Sequence, residues 1–426
     1  MKTHSPQRII AVTGAAALAL SLAACGSPNQ SGSSGDGGDG GAAFTWAVTG
    51  SDQAIHQAVA DLWNEQHPDE QVNIEFLAPE ADQQRQAMFQ DLQSGTGDFD
   101  VLGLDVVWTG EFAQNGYITS LESHRDEVEG VSLPGAIDSS SYQGELYALP
   151  YSSNGGYLYY RTDLVDSPPA TWDDVVTTGV QAADDAGISG YVGLGNQYEG
   201  FVVTFLQLFW SAGGEVYDEN QSESTFLDGD AAQRALDWLI DAREQGLFAD
   251  GFDSMVEDDA RALFQAGDAV YMHNWPYAIP LLEGQDGEDS AVADDFAVAA
   301  LPGFDGNTGV GALGGLNNAV SSLSDTPDIA EEFVTWAATD ADAQKILLDN
   351  SLPATLLSTY DGVDDENVAL LGDILAAAKA RPAVAGYNSL SLAMQEHLHA
   401  AFLGQEDPQT ALEAVDQAAT DALGGE

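Results

Sequence analysis

Residues 148–163 read Ala-Leu-Pro-Tyr-Ser-Ser-Asn-Gly-Gly-Tyr-Leu-Tyr-Tyr-Arg-Thr-Asp, and they pack a turn, a polar cluster and a strand into sixteen positions. Pro150 cannot donate to a β-ladder and fixes its own φ, whereas Gly155 and Gly156 allow a close backbone approach. Tyr157-Leu-Tyr-Tyr160 then supplies strand-forming aromatics. The segment reads as a crossing between two domains, with the polar side chains of Tyr151 and Asn154 at the junction.

Toward the N-terminus the pattern alternates strand and helix. Phe44–Val48 and Val72–Phe76 alternate as strands, and residues 54–67 carry Ile55, Ala58, Val59, Leu62 and Trp63 at helical spacing before Pro68. Residues 83–93 read as a second helix, and Asp100–Trp108 as an apolar strand ending in a polar turn. This is an α/β pattern with a parallel sheet. Open α/β sheets bind ligands beyond the carboxyl ends of their strands, and three ends carry polar groups: Ser51-Asp52-Gln53, Asp105 with Trp108 and Glu111, and Tyr151 with Asn154. Asp105 interrupts an otherwise buried strand and needs partners, from a ligand, from backbone N–H groups or as the cap of a helix at 111–114.

Toward the C-terminus, residues 172–186 read as a helix and 190–195 as a short strand. Tyr198-Glu-Gly-Phe201 opens a helix through Trp210. Helices follow at 231–245 and 258–266, then a strand at 269–275 that closes on His-Asn-Trp-Pro-Tyr. Trp275, followed by Pro276 at a strand end, is poorly placed for deep burial and suits stacking, with a core role as the alternative. Gly309-Val-Gly-Ala-Leu-Gly314 fits G-x-G-x-x-G letter for letter. A turn and a strand follow it rather than a helix, so no dinucleotide site is expected. Helices are expected at 329–340 and 343–348, and another at 376–380 puts Arg381 at its end.

A chain of 426 residues can hold two domains with separate cores. Its formal charge of −58 comes from 69 acids scattered among 11 bases, an acidic shell that suits a saline habitat and a soluble monomer. The basic footprint needed for nucleic acid or an anionic membrane surface is missing. With so many acids, carboxylate spacing says nothing about glycoside hydrolysis. No H-E-x-x-H, P-loop or G-x-S-x-G motif is present. His397 and His399 sit on an apparent surface helix without a third metal ligand, and no nucleophile has a base beside it, so neither a metal nor a cofactor is expected.

Residues 1–25 look like a targeting segment: Lys2 and Arg8, an apolar run from Ile9 to Leu22 that is too short to span a membrane, and Leu22-Ala-Ala-Cys-Gly26. Cys25 is the sole cysteine, and its setting resembles the lipobox at which bacterial lipoproteins are cleaved and acylated; an ordinary signal peptide is the alternative. Residues 26–42 read as a flexible tether.

Pro150-Tyr-Ser-Ser-Asn-Gly with its aromatic strand ending in Arg161 resembles the inter-lobe crossover of the carbohydrate-binding family of ABC-importer solute-binding proteins. Tyr198-Glu-Gly200, Leu313-Gly-Gly-Leu316 before Ala319-Val-Ser321, and Arg381-Pro-Ala-Val-Ala-Gly-Tyr387 continue the resemblance over nearly all of residues 43–426. It departs at Leu316, where the family has Trp, and at Asn154, where it often has Asp.

The resemblance implies a periplasmic-binding-protein-like fold of two α/β lobes, with three crossings near Tyr151, Gly306 and Pro353 and a cleft between the lobes. The expected lobes are 43–153 with 307–352, and 154–306 with 353–426. The implied function is a lipid-anchored sugar receptor on the outer face of the membrane, serving ABC permease subunits and binding a neutral disaccharide of the trehalose or maltose type. A secreted glycoside hydrolase and a receptor for a peptide or polyamine are the rivals. Asp105, Asn154, Trp275 and Arg381 are expected to touch the ligand. Asp52, Gln53, Arg85, Trp108, Glu111, Tyr151, Tyr198, Glu199, Glu257, Gly314, Gly315 and Leu316 are expected around it, the two glycines letting the main chain approach the ligand.

Overall fold

β1 (Ala42–Thr49) lies between β2 (Glu70–Leu77) and β3 (Val101–Asp105), parallel to both, with Trp46 opposite Ile74 on one side and Val101 on the other. The computed structural model describes residues 42–424 apart from 51, 79–80, 219–220, 285–288 and 307–308. The leader at 1–25, Cys25, most of the tether and Ser51 lie outside the described residues; Ala42, expected in the tether, already belongs to β1. Helix Gln53–Gln66 buries His56, Val59, Ala60 and Trp63, and Trp63 meets Phe44 and Phe333 in one aromatic cluster. β3 stops at Asp105, short of the expected Trp108. There the Asp105 carboxylate accepts the Val107 N–H (3.1 Å) and its carbonyl accepts the Trp108 N–H (2.9 Å), folding the chain into helix Thr109–Gln114. Asp105 thus shapes the turn, and Trp108, not Asp105, occupies the helix N-cap position.

A two-stranded ribbon, β4 (Ser141–Tyr142) and β5 (Glu145–Leu146), precedes β6 (Leu149–Asn154), which still belongs to the first sheet. β7 (Tyr157–Arg161) belongs to a second sheet with β8 (Ser189–Val192), β9 (Ala269–Asn274) and β10 (Phe296–Ala299), in the order β10-β7-β9-β8. The passage between sheets is therefore at 154–157. Gly156 is needed there because a β-carbon would run into the His273 ring. Around the second sheet, helix Trp172–Ala186 opens with a reciprocal cap in which Thr171 and Asp174 each accept the other's backbone N–H at 3.0 Å. Helix Glu199–Ser211 is buried along almost its whole length.

β11 (Ala312–Val320) returns to the first sheet antiparallel to β3 and β6, so the glycine run at 309–314 enters a strand. Beyond it the chain stays with the first sheet longer than expected. The Pro353 carbonyl accepts the Ser153 N–H (2.8 Å), that of Thr355 accepts the Leu133 N–H (2.9 Å), and helix Glu366–Ala377 packs on helix Pro134–Ser139. That helix ends at Ala377 instead of reaching Ala380, because β12 (Lys379–Ala380) pairs with β11. Helix Tyr387–Phe402 then packs on helices Glu199–Ser211 and Ala231–Glu244 beside the second sheet. The third passage thus falls at 381–386 rather than at Pro353. His399, expected on a surface helix, is buried with its Nε2 3.1 Å from the Gly195 carbonyl, and His56 and His273 are buried as well. The two sheets with their helices form the two lobes of one α/β fold.

Candidate functional site

At the first lobe, Asp52 stands at the start of helix Gln53–Gln66, half-buried, and burial raises its carboxyl pKa; Gln53 beside it is exposed. Arg85, from helix Ala81–Ser94, grips Glu111 with two donors, Nε to Oε2 at 2.7 Å and Nη2 to Oε1, and its guanidinium lies 4.6 Å over the Phe89 ring. β11 fixes the spacing of the next two groups. Leu316 is opposite Asp105 and Gly314 is opposite Asn154, so the two polar residues share one end of the sheet, roughly 7 Å apart along the strand direction. Asn154 Oδ1 is buried and makes no hydrogen bond among the described residues.

The second lobe meets this edge through Tyr198 and Glu199 at the start of helix Glu199–Ser211. Arg381, only 7% exposed, joins the lobes: its Nη1 lies 2.6 Å from Glu199 Oε1 and its Nη2 lies 3.7 Å from Asp105 Oδ1. Tyr387 and Ser391 donate their hydroxyls to the same Glu199 carboxylate. Burial raises the Asp105 pKa against the opposing pull of Arg381. Burial also works against the Arg381 charge, but Tyr387, Glu199 and Asp105 outweigh it and raise its pKa.

Trp275 follows β9 directly and is half-buried. Its carbonyl accepts the Tyr159 hydroxyl (2.7 Å), its Nε1 is 3.5 Å from Glu257 Oε1, and the His273 ring meets it edge-on at 5.5 Å. Burial, then the Glu257 carboxylate, raises the Tyr198 hydroxyl pKa, and the Tyr198 ring covers Gly200. The polar groups therefore run from Asp105 and Asn154 through Arg381 and Glu199 toward Tyr198, Glu257 and Trp275.

Three expectations change. Tyr151 is 1% exposed, its hydroxyl 3.0 Å from His56 Nδ1 and its ring edge-on to Trp46 at 5.3 Å, so it anchors the first lobe's core instead of facing a cleft. Trp108 is buried in the core as well. Gly315, at φ +117°, makes room for the β6 backbone: a β-carbon would collide with the Ser152 carbonyl oxygen and stand 2.6 Å from Ser153 Cα. Its role is strand packing, not approach to a ligand. Sequence reasoning gave no role to Tyr387 and Ser391, although their i, i+4 spacing on one helix is a signal that they share a face.

The arrangement offers carboxylates, an amide, a guanidinium and one aromatic face, which suits binding of a polyhydroxylated molecule. Among the described residues no group of three His, Cys, Asp or Glu side chains could hold a metal, and no helix is long and apolar enough to cross a membrane. A cavity of about 1130 Å³ lies beyond the other end of helix Glu199–Ser211, lined by Asp138, Tyr142, Trp210, Tyr217 and Lys379; it shares only Arg381 with the expected site.

Residues 46–344 match the model of the bacterial extracellular solute-binding protein family. A probable ABC transporter-binding protein of Deinococcus radiodurans is 30% identical over 378 residues, covering 84% of this chain and 87% of that protein. The maltose-bound MalE3 of T. maritima superposes with a TM-score of 0.74 at 30% identity, covering 89% of this chain and 99% of that structure. The cyclic alpha-maltosyl-1,6-maltose binding protein from Arthrobacter globiformis shares the fold with a TM-score of 0.76 at 20% identity, over 91% of this chain and all of that structure (100%).

Proposed function

The chain belongs to the bacterial extracellular solute-binding proteins, and we propose that it is the receptor of an ABC importer for a neutral sugar, a disaccharide of the trehalose or maltose type or a short oligosaccharide. The run of polar groups that Arg381 carries from Asp105 to Glu199, ending at the half-buried Trp275, is the observation that supports this reading. Hydroxyls can donate to the carboxylates and accept from the guanidinium, while the C–H face of a pyranose suits the indole. Membership in a family of binding proteins removes the hydrolase alternative.

In this proposal Asp105, Asn154, Trp275 and Arg381 touch the sugar. Asp52, Gln53, the Arg85–Glu111 pair, Tyr198, Glu199, Glu257 and Leu316 surround it. Lobe one comprises 42–154 with 312–380, and lobe two comprises 157–299 with 387–424. The lobes close on the ligand, presenting a new joint surface to the permease subunits. The protein is a monomer held at the outer face of the membrane by acylation at Cys25, with the tether carrying the lobes clear of the bilayer.

A thermal-shift screen of maltose, trehalose, mannitol, short peptides and polyamines tests the ligand class. Stabilisation by a sugar that is recovered unchanged is expected. Response to a peptide or polyamine alone overturns the sugar assignment. For the anchor, labelled palmitate fed to the producing cells should mark the wild type and not Cys25→Ser; an unlabelled wild type overturns it.

A further inference from the structure

Glu199 collects three donors from two directions: Arg381 Nη1 at 2.6 Å, the Tyr387 hydroxyl and the Ser391 hydroxyl. Tyr387 and Ser391 are 4% and 3% exposed, one turn apart on helix Tyr387–Phe402. Gln395 Nε2 donates to Ser391 Oγ (2.9 Å), which leaves the Ser391 proton for Glu199. Tyr387 is held protonated by burial and by the facing carboxylate, so it too is a donor. With three of about four lone-pair directions engaged, the Glu199 carboxylate cannot turn, and neither can the guanidinium bonded to it.

Arg381 is left with a specific unused edge. Its Nε is buried and has no hydrogen-bond partner among the described residues, and its Nη2 is 3.7 Å from Asp105, beyond a hydrogen bond. We propose that Tyr387 and Ser391 are positioning residues for ligand recognition, fixing Glu199 so that the Nε–Nη2 edge of Arg381, beside Asp105, takes two neighbouring hydroxyls of the ligand. This inference rests on the sugar-receptor reading. It names the element recognised: a vicinal diol, read by two donors of the Arg381 fork and one carboxylate acceptor.

The test is titration calorimetry on the full chain, with whichever of maltose and trehalose binds the wild type more tightly. Y387F/S391A is expected to weaken binding roughly tenfold or more, and S391T, which keeps the hydroxyl, to stay within about twofold of wild type. In an R381A background the same double change should cost less than about twofold, because the two residues act through Arg381. Equal losses in both backgrounds overturn the proposal, as does an unchanged affinity of Y387F/S391A. A second readout holds if R381A binds too weakly to titrate: the Arg381 Nε–H resonance should shift and become protected on saturation with the sugar, and lose that protection in Y387F/S391A. An Nε–H signal that ignores the sugar overturns the proposal. Absence of binding to both sugars by the wild type itself is a different result and overturns the disaccharide assignment beneath it.

Discussion

The Tyr151 hydroxyl lies 3.0 Å from His56 Nδ1, and both side chains are buried at 1% exposure or less, under the first lobe's aromatic cluster. The pairing ties the first turns of helix Gln53–Gln66 to β6, the last strand before the inter-lobe passage. A residue whose type and position suit a ligand cleft is thus used inside the first lobe's core, where its ring meets Trp46 and His56.

The same burial makes stability depend on acid. Burial lowers the pKa of His56, and separately of His273, from 6.5 to about 4. Their neutral forms are favoured in the fold, so the unfolded chain takes up these protons first as pH falls. The stabilisation is complete above pH 6.5 and is lost as pH falls toward 4, by at most about 3 kcal/mol for each histidine. Asp52 and Asp105, raised by burial, contribute with the opposite sign above their ordinary range. Urea denaturation at pH 7, 5.5 and 4.5 should show falling stability, and His273→Gln should remove about half of the slope. A slope that His273→Gln leaves unchanged contradicts the burial of that neutral ring.

Gly315→Ala should destabilise the first lobe by about 3 kcal/mol or more, through a left-handed φ and a collision with the β6 backbone. Gly314→Ala should cost less, because its β-carbon would meet only Asn154 Cβ at 3.3 Å and the Asn154 carbonyl oxygen at 3.9 Å. Comparing the two urea midpoints checks the order.

Trp275→Ala should weaken binding of the sugar that stabilises the wild type best by about 1–3 kcal/mol. Calorimetry on a variant whose melting curve remains cooperative is the measurement; wild-type affinity would place the ligand away from the indole.

Salt should stabilise the protein. With 69 acids against 11 bases, the folded chain concentrates like charge that the unfolded chain spreads out. Raising salt from about 0.1 M to about 1 M shortens the Debye length from roughly 10 Å to roughly 3 Å. The urea midpoint should rise alike in NaCl and KCl.

Local sequence determined the elements. The 3.6-residue spacing of Val59, Leu62 and Trp63, the Thr171 cap and the aromatic run at 157–160 each fix a helix or a strand by short-range packing and capping, so their boundaries were legible within a few residues. The Pro-Tyr-Ser-Ser-Asn-Gly-Gly run likewise identified the first inter-lobe passage, because Pro and Gly act on the backbone where they stand. Which way a side chain faces, and what distant residue it meets, was decided only in three dimensions. Tyr151 turned inward because Trp46 and His56 surround it, and Gly315 was spent on a neighbouring strand. The third passage moved from Pro353 to 381–386 because β12 pairs with β11, a long-range ladder that leaves no local mark. Glu199, Arg381, Tyr387 and Ser391 form one network across as many as 192 positions of chain, held by hydrogen bonds that exist only once the helices have packed.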